Sequence, residues 1–301
     1  MKLLLFLQKN FYQKKVKVYK TYLVYDGILF EADTPLLKTS NRAFRFGDGF
    51  FETMHFHKGK ILFFGAHYER ILRAMLALRL SVIGFISSEE LYERIMSLAV
   101  KNRLFGDALI RLTLFRKDSG IFDAETKQAS WLVETFPIEQ KGFILNEKGL
   151  RIDVFYDFQK PINQLSSFRT LNSEPYTLAR MFAYDNNFDD SLIINTSKKI
   201  IESTQSNLFW IVGTTVYTPM SATGCIEGIL RRQLFKIIPQ AKLHIVETEG
   251  TTIKELFNAD EIFLTNTIEG IRWVVALKDK RFFNNKTKKI FNLLCSDLQN
   301  S

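Results

Sequence analysis

IIESTQSNLFWIVGTTVYTPMSATGCIEGILRRQ, residues 200–233, decides how the second half of the chain is built. Three short β-rich runs, KKIIES, NLFWIV and VYTP, are punctuated by Gly213 and end at Pro219, which lacks a backbone donor. Gly224 and Gly228 then precede an apolar-faced helix predicted from Ile229 to Ile238. An acid, Glu202, closes the first strand. The first N–H groups of the helix have no partner within it, so its start suits a phosphate. Each feature also has a plainer meaning. Glu202 followed by Ser203, Thr204, Ser206 and Asn207 reads as a solvated strand end with turn residues, and glycine before a helix is common.

On either side the same punctuation continues. SLIINT lies upstream, behind GLRIDVF; downstream come LHIVE (243–247), a short helix TIKELF, the strand EIFLTN (261–266) and a closing helix KIFNLLCSDL. In the first half, YLVY-DG-ILFE (22–31) is a hairpin around Asp26-Gly27, residues that tolerate the positive φ of a type I′ turn. FETMHFHKGKILFF (51–64) repeats the pattern around Lys58-Gly59, and HYERILRAMLAL (67–78) sets Ile71, Met75 and Leu78 on one helical face. Ser87 and Glu90 form a capping-box pattern ahead of Leu91, Ile95 and Leu98, and ALIRLTLF (108–115) and SWLVETF (130–136) read as strands. The expected organisation is α+β: a basic N-terminal extension (1–20), a smaller N-terminal α/β lobe (21–137), a linker (138–148) and a larger C-terminal lobe (149–301) with a mostly β core flanked by helices.

Composition narrows the function classes. The chain has 301 residues, enough for two lobes at roughly 100 to 200 residues each. Its net charge of +9 comes from scattered Lys and Arg with no aromatic-basic motif, so nucleic acid is not an expected partner. Cys225 and Cys295 have no Cys or His beside them at metal-ligand spacing, and neither a disulfide scaffold nor a metal site is expected. The apolar run in MKLLLFLQKNFYQKK is too short for a signal sequence, and no segment approaches the roughly 20 apolar residues of a membrane span. A cytoplasmic protein with no membrane partner is expected.

Further residues join the candidates. LTNT (264–267) ends a strand with Thr265, Asn266 and Thr267, able to donate to an anion or simply to turn the chain. Arg70 in HYER is a cation at the start of a helix, the usual place for a surface arginine. His55 and His57 alternate on one strand and share a face. Asp48 and Glu52 lie about 13 Å apart along an extended segment, so they are expected to shape the turn and strand rather than work as an acid pair.

In order and spacing, NRAFRFGDGFFETM, HYER, RTLN, IESTQSNLFW, YTPMSATGCIEGILRRQ and ADEIFLTNT resemble the pyridoxal-phosphate enzymes of class IV aminotransferase fold, from about Tyr22 to about Ala276. The resemblance implies the two-lobed class IV fold, pyridoxal 5′-phosphate as cofactor, a small amino/carboxylate substrate and a homodimer. It also implies that Arg70 holds the cofactor phosphate, that Glu202 faces the protonated ring nitrogen, and that Ile229, Leu230, Asn266 and Thr267 complete the phosphate cup. Because the helix start reads GILR, Leu230 offers an N–H but no hydroxyl. His55 stands where relatives often carry arginine, which makes a substrate contact conceivable beside the plainer reading of a half-exposed strand histidine.

One position departs from the pattern. The family's Schiff-base lysine lies in a KxLN segment, and here that segment is RTLN, with Arg169 in the lysine's place. A guanidinium stays protonated and is a poor nucleophile. Ordinary turnover should suffer, since a positioned proton shuttle alone is typically worth about 10²–10⁴ in rate. Three readings stay open: Lys160, Lys198 or Lys199 reaches the site; the chain is a degenerate paralogue holding pyridoxal phosphate or another anion non-covalently; or Arg169 is a one-base change from lysine. The scaffold itself looks most like aminodeoxychorismate lyase, which releases pyruvate and 4-aminobenzoate for folate synthesis. A D-amino-acid or branched-chain type aminotransferase is the alternative; the segment RKDSGIFDAE lacks the RxH pair of the former, and RTLN lacks the KxGGNY of the latter.

Overall fold

The computed structural model describes residues 21–117, 124–139 and 142–300. The expected extension over residues 1–20 lies outside them. The first lobe opens with the hairpin β1 (Tyr22–Tyr25) and β2 (Ile28–Glu31), with Asp26 at φ 46° and Gly27 at φ 83° in the turn. A short helix α1 (Arg42–Phe46) leads into β3 (Gly49–His57) and β4 (Lys60–Ile61), again through a positive-φ pair, Lys58-Gly59. Helices α2 (Phe64–Ala77) and α3 (Ser88–Lys101) follow, then β5 (Ala108–Arg116) and β6 (Ala129–Pro137). The six strands form one antiparallel sheet in the order β2-β1-β6-β5-β3-β4. The predicted helical faces are buried in the core beside it: Ile71 and Met75 from α2, and Leu91, Ile95 and Leu98 from α3, pack with Phe50, Met54, Ile110 and Leu112. The Ser87 hydroxyl accepts from the Glu90 N–H, but the Glu90 carboxylate turns to Arg94 one helical turn on, so the expected reciprocal capping box is half made.

The second lobe comprises β7 (Leu150–Lys160), α4 (Glu174–Asp185), β8 (Asp190–Asn195), β9 (Ile200–Ser203), β10 (Asn207–Val212), β11 (Thr215–Pro219), α5 (Ile229–Ile237), β12 (His244–Thr248), α6 (Ile253–Phe257), β13 (Glu261–Asn266), β14 (Gly270–Leu277), β15 (Lys280–Arg281) and α7 (Asn285–Asn300). Its sheet runs β12-β11-β10-β13-β14-β7-β8-β9, with β15 on β14. Because β9 pairs back onto β10 through Asn207 and Glu202, six of these strands close into a ring. Leu150, Ile152, Leu192, Ile200, Leu208, Ile262, Leu264 and Val274, drawn from all six, fill one core. On the other face, α5 and α7 cover Phe209 and Phe263, whose rings stack at 4.9 Å. Among the described residues no helix is long and apolar enough to cross a membrane.

The lobes meet along β3. The Phe51 N–H donates to the Arg169 carbonyl and the Leu171 N–H to the Gly49 carbonyl, so the RTLN segment runs beside the first-lobe sheet. A Cβ at Gly49 would lie 2.3 Å from the Leu114 carbonyl oxygen on β5 and 2.9 Å from a Leu171 methyl, so glycine lets β3 fit between β5 and the RTLN segment. Arg169 is thereby fixed at the seam.

Candidate active site

Two adjoining spaces open at that seam. The smaller, about 50 Å³, is lined by Thr53, Arg70, Arg169, Ser206, the start of α5 from Gly228 to Leu230, and Thr265 to Thr267. The larger, about 650 Å³, lies against Phe51, Arg111, Arg169, Tyr176, Arg180 and Thr204. Thr53, Arg169, Asn266 and Thr267 border both. The structure therefore brings Arg70, Arg169, Ile229, Leu230, Asn266 and Thr267 together around one cup.

The cup is built for an anion. No side chain caps α5 at Gly228, which leaves its first N–H groups to whatever occupies the cavity. The Thr265 hydroxyl is buried without a hydrogen-bond partner, and a buried orphan hydroxyl in a cavity wall is a donor waiting for a ligand. Arg70 is aimed by three hydrogen bonds to two residues. Glu52 accepts from its Nε at 3.1 Å and from its second terminal nitrogen, and the Glu227 carbonyl accepts from Nη1 at 2.6 Å. The guanidinium retains N–H groups beyond these for an anion. Burial pushes the Glu52 carboxyl up, but Arg70 and His67 outweigh it and hold it below the usual carboxylate range. Asn266 is more committed than its sequence position implies. Its amide donates to Ser206 and Glu269 and its carbonyl oxygen accepts from the Ile268 and Glu269 N–H groups, so it braces the loop. Thr267 donates to the Thr53 carbonyl across the lobes.

Gly228 is the tightest point of the cup, since an added Cβ would come 1.8 Å from the Asn207 Oδ1. The Asn207 amide holds the Ile226 carbonyl at 2.7 Å, so the clash would displace the start of α5. Gly228→Ala is expected to lower affinity for inorganic phosphate and for pyridoxal phosphate at least ~10-fold, the loss of one charge-assisted bond at about 1.5–3 kcal/mol. Calorimetric titration checks this; unchanged affinity would mean that the anion does not sit at the helix start.

Glu202 is 1% exposed and lies behind the cup wall. Its Oε2 accepts the Ile226 N–H at 2.7 Å, and Ile226 lines the cup. Its Oε1 accepts from the Tyr176 hydroxyl at 2.8 Å and from Lys160 Nζ at 2.6 Å. Lys160, 7% exposed, also donates to the Ser166 carbonyl. Burial lowers the Lys160 ammonium pKa, against the opposing pull of Glu202. Burial, and then Glu202, raise the Tyr176 phenol well above 10.0. Three donors occupy the carboxylate, leaving roughly one of its four acceptor positions. Of the three lysines that could have reached the site, Lys160 reaches the acid. Lys198 and Lys199 sit at the β8–β9 turn.

Arg169 donates to the Thr204 carbonyl at 3.1 Å, and its guanidinium carbon lies 5.0 Å from the Tyr176 ring centre. Thr204 is itself held by Asp190. The side chain thus stands on the wall shared by cup and cleft, and among the described residues it has no carboxylate partner. In the cleft, Arg111 lies 3.9 Å over the Phe51 ring, and burial lowers its pKa.

His55 lies outside the cup, wholly buried, with His57 and Asp107. Sequence reasoning named Thr265 as a possible donor and Lys160 as one of three lysines that could reach the site, but gave Glu52 no part in it. Glu52 was legible in part: His67 and Arg70 stand three apart on a helix face, and both meet that acid.

The class IV aminotransferase family model matches residues 49–277. A curated aminodeoxychorismate lyase of Vibrio harveyi is 24% identical over 233 residues, 77% of this chain and 83% of the relative. Among solved structures, a branched-chain aminotransferase of Thermoproteus uzoniensis with norvaline superposes with a TM-score of 0.84 at 20% identity, covering 94% of this chain and 96% of that one. An aminotransferase of Brucella abortus bound to pyridoxal phosphate gives 0.77 at 21% identity, over 93% and 100% of the two chains.

Proposed function

The chain belongs to the class IV aminotransferase family, and we propose that it holds pyridoxal phosphate by its phosphate, without a covalent bond to the protein, in a pocket built on the aminodeoxychorismate lyase plan. Pyridoxal phosphate is the cofactor of this family, and the cup fits a phosphate: Arg70, the N–H groups of Ile229 and Leu230, and the Thr265 hydroxyl are its holders, with Thr267 in the wall braced on the Thr53 carbonyl. When bound, the group supplies an electron sink for a bond broken beside a substrate amine. Glu202 lies behind Ile226 as the acid for the ring nitrogen.

One observation carries the reading: the side chain on the wall between cup and cleft is Arg169, while Lys160 is bound at Glu202. A guanidinium can hold an anion in place, but it neither forms a bond to an aldehyde nor cycles a proton near neutral pH. Lys160 is spoken for at the carboxylate that serves the far end of the ring from the aldehyde. In the cleft, Arg111 and Arg180 offer positive charge to a carboxylate-bearing substrate such as the lyase relatives use. The lyase reaction, elimination of pyruvate to give 4-aminobenzoate, is the activity from which this pocket departs.

Purified protein titrated with pyridoxal phosphate should bind it reversibly, release it on dialysis, and bind pyridoxal at least ~10-fold more weakly, as expected for the loss of charge-assisted phosphate bonds. Borohydride treatment followed by mass spectrometry should leave the protein unlabelled. A reduced adduct on the peptide containing Lys160 would sink the proposal, as would equal affinity for pyridoxal.

A further inference from the structure

Strand β3 carries His55 and His57 two residues apart, so both side chains leave the same face. The β3–β5 register pairs Phe56 with Ala108, which sets Asp107, the residue before β5, beside them. His55 Nε2 lies 2.8 Å from Asp107 Oδ2, and His57 Nδ1 lies 2.9 Å from both carboxylate oxygens. All the potential ligand atoms fall within 4.8 Å of one another. From this convergence we propose that His55, His57 and Asp107 form a binding site for a divalent first-row metal ion of the zinc class, separate from the cofactor cup.

The chemistry of the three side chains suits that ion. Two imidazole nitrogens and a carboxylate oxygen are the donor types zinc takes at about 2.0–2.2 Å, and a tetrahedral centre spaces its ligands about 3.3 Å apart. The His–Asp pairs need open by only about half an ångström to admit it. A ligating imidazole must be neutral.

The surroundings point the same way. With Nε2–H donating to Asp107, the buried His55 Nδ1 has no hydrogen-bond partner. An ion on Nε2 would move the ring proton to Nδ1, the tautomer a histidine takes when Nε2 is the ligand. The Gly142 N–H already donates to Asp107 Oδ2 at 2.6 Å, supporting the carboxylate from behind. The His57 side chain is 22% exposed, which gives the ion a way in.

The test is metal analysis of the purified protein after equilibration with zinc sulfate and gel filtration, together with cobalt(II) titration followed by visible absorption. One zinc per chain and a cobalt spectrum of low-symmetry coordination are expected. His57→Asn and Asp107→Asn should each weaken zinc binding at least ~10- to 100-fold, the range already seen when groups beyond the ligands are lost. His244→Asn, an exposed histidine outside the cluster, should leave it unchanged. Circular dichroism matched to wild type shows which variants are folded, and the cobalt spectrum of wild type stands independently of them. Wild type that retains no zinc, or folded His57→Asn that retains a full equivalent, overturns the proposal.

Discussion

Arg169→Lys should convert a reversible complex into a covalent one: after incubation with pyridoxal phosphate and borohydride, the cofactor should be recovered on the peptide carrying residue 169, near one per chain, where wild type yields none. Several features of the seam favour the gain. The backbone at this position is held from the first lobe by the Phe51 N–H, so the side chain departs from a fixed point. Its Thr204 carbonyl partner would accept from an ammonium as readily as from a guanidinium. Among the described residues it has no carboxylate partner, and three of the acceptor positions of Glu202 are taken by Lys160, Tyr176 and the Ile226 N–H. The new amine would thus be less bound than Lys160 and free to react. A lysine there also restores a group able to move a proton, typically worth about 10²–10⁴ in rate, so elimination of pyruvate from aminodeoxychorismate should rise by that order above wild type. An adduct without the rise would place the defect in the cleft; absence of an adduct would mean the pocket has diverged beyond this one residue.

Why Arg169 was placed from the sequence, while Lys160 stayed one of three candidate lysines, comes down to how far a linear pattern reaches. RTLN sits at a motif position, and identity and order alone locate it. The direction of Lys160 depends on counting along β7, and the β7–β8 register shifts between Phe155 and Gln159, which breaks the alternation that such a count relies on. Asp107 pairs with His57 only through the β3–β5 register, 50 residues away in sequence, so a local scan for ligand spacing passes over the cluster. Capping shows the same limit at short range. Ser87-x-x-Glu90 and Thr252-x-x-Glu255 are the same pattern, yet only the second closes reciprocally. In the first, Arg94 on the next turn draws the glutamate away. The hairpin turns at Asp26-Gly27 and Lys58-Gly59 were readable because the required positive φ is a property of the residues themselves.

Lys160→Met is expected to destabilise the protein by about 3–5 kcal/mol, the usual cost of removing one partner from a buried ion pair and leaving the other charge behind. Glu202 would keep the Tyr176 hydroxyl and the Ile226 N–H but lose the Lys160 cation, at 1% exposure. The double variant Lys160→Met/Glu202→Gln should recover most of the loss. The amide oxygen can still accept from Ile226 or Tyr176, and no charge remains to be desolvated. Urea unfolding of wild type, single and double variants at neutral pH reads both. Should Lys160→Met cost less than ~1 kcal/mol at neutral pH, the range of an exposed pair, then Lys160 does not neutralise Glu202 in solution. It would then be available to the cofactor, and the non-covalent reading of the pocket would fall with it.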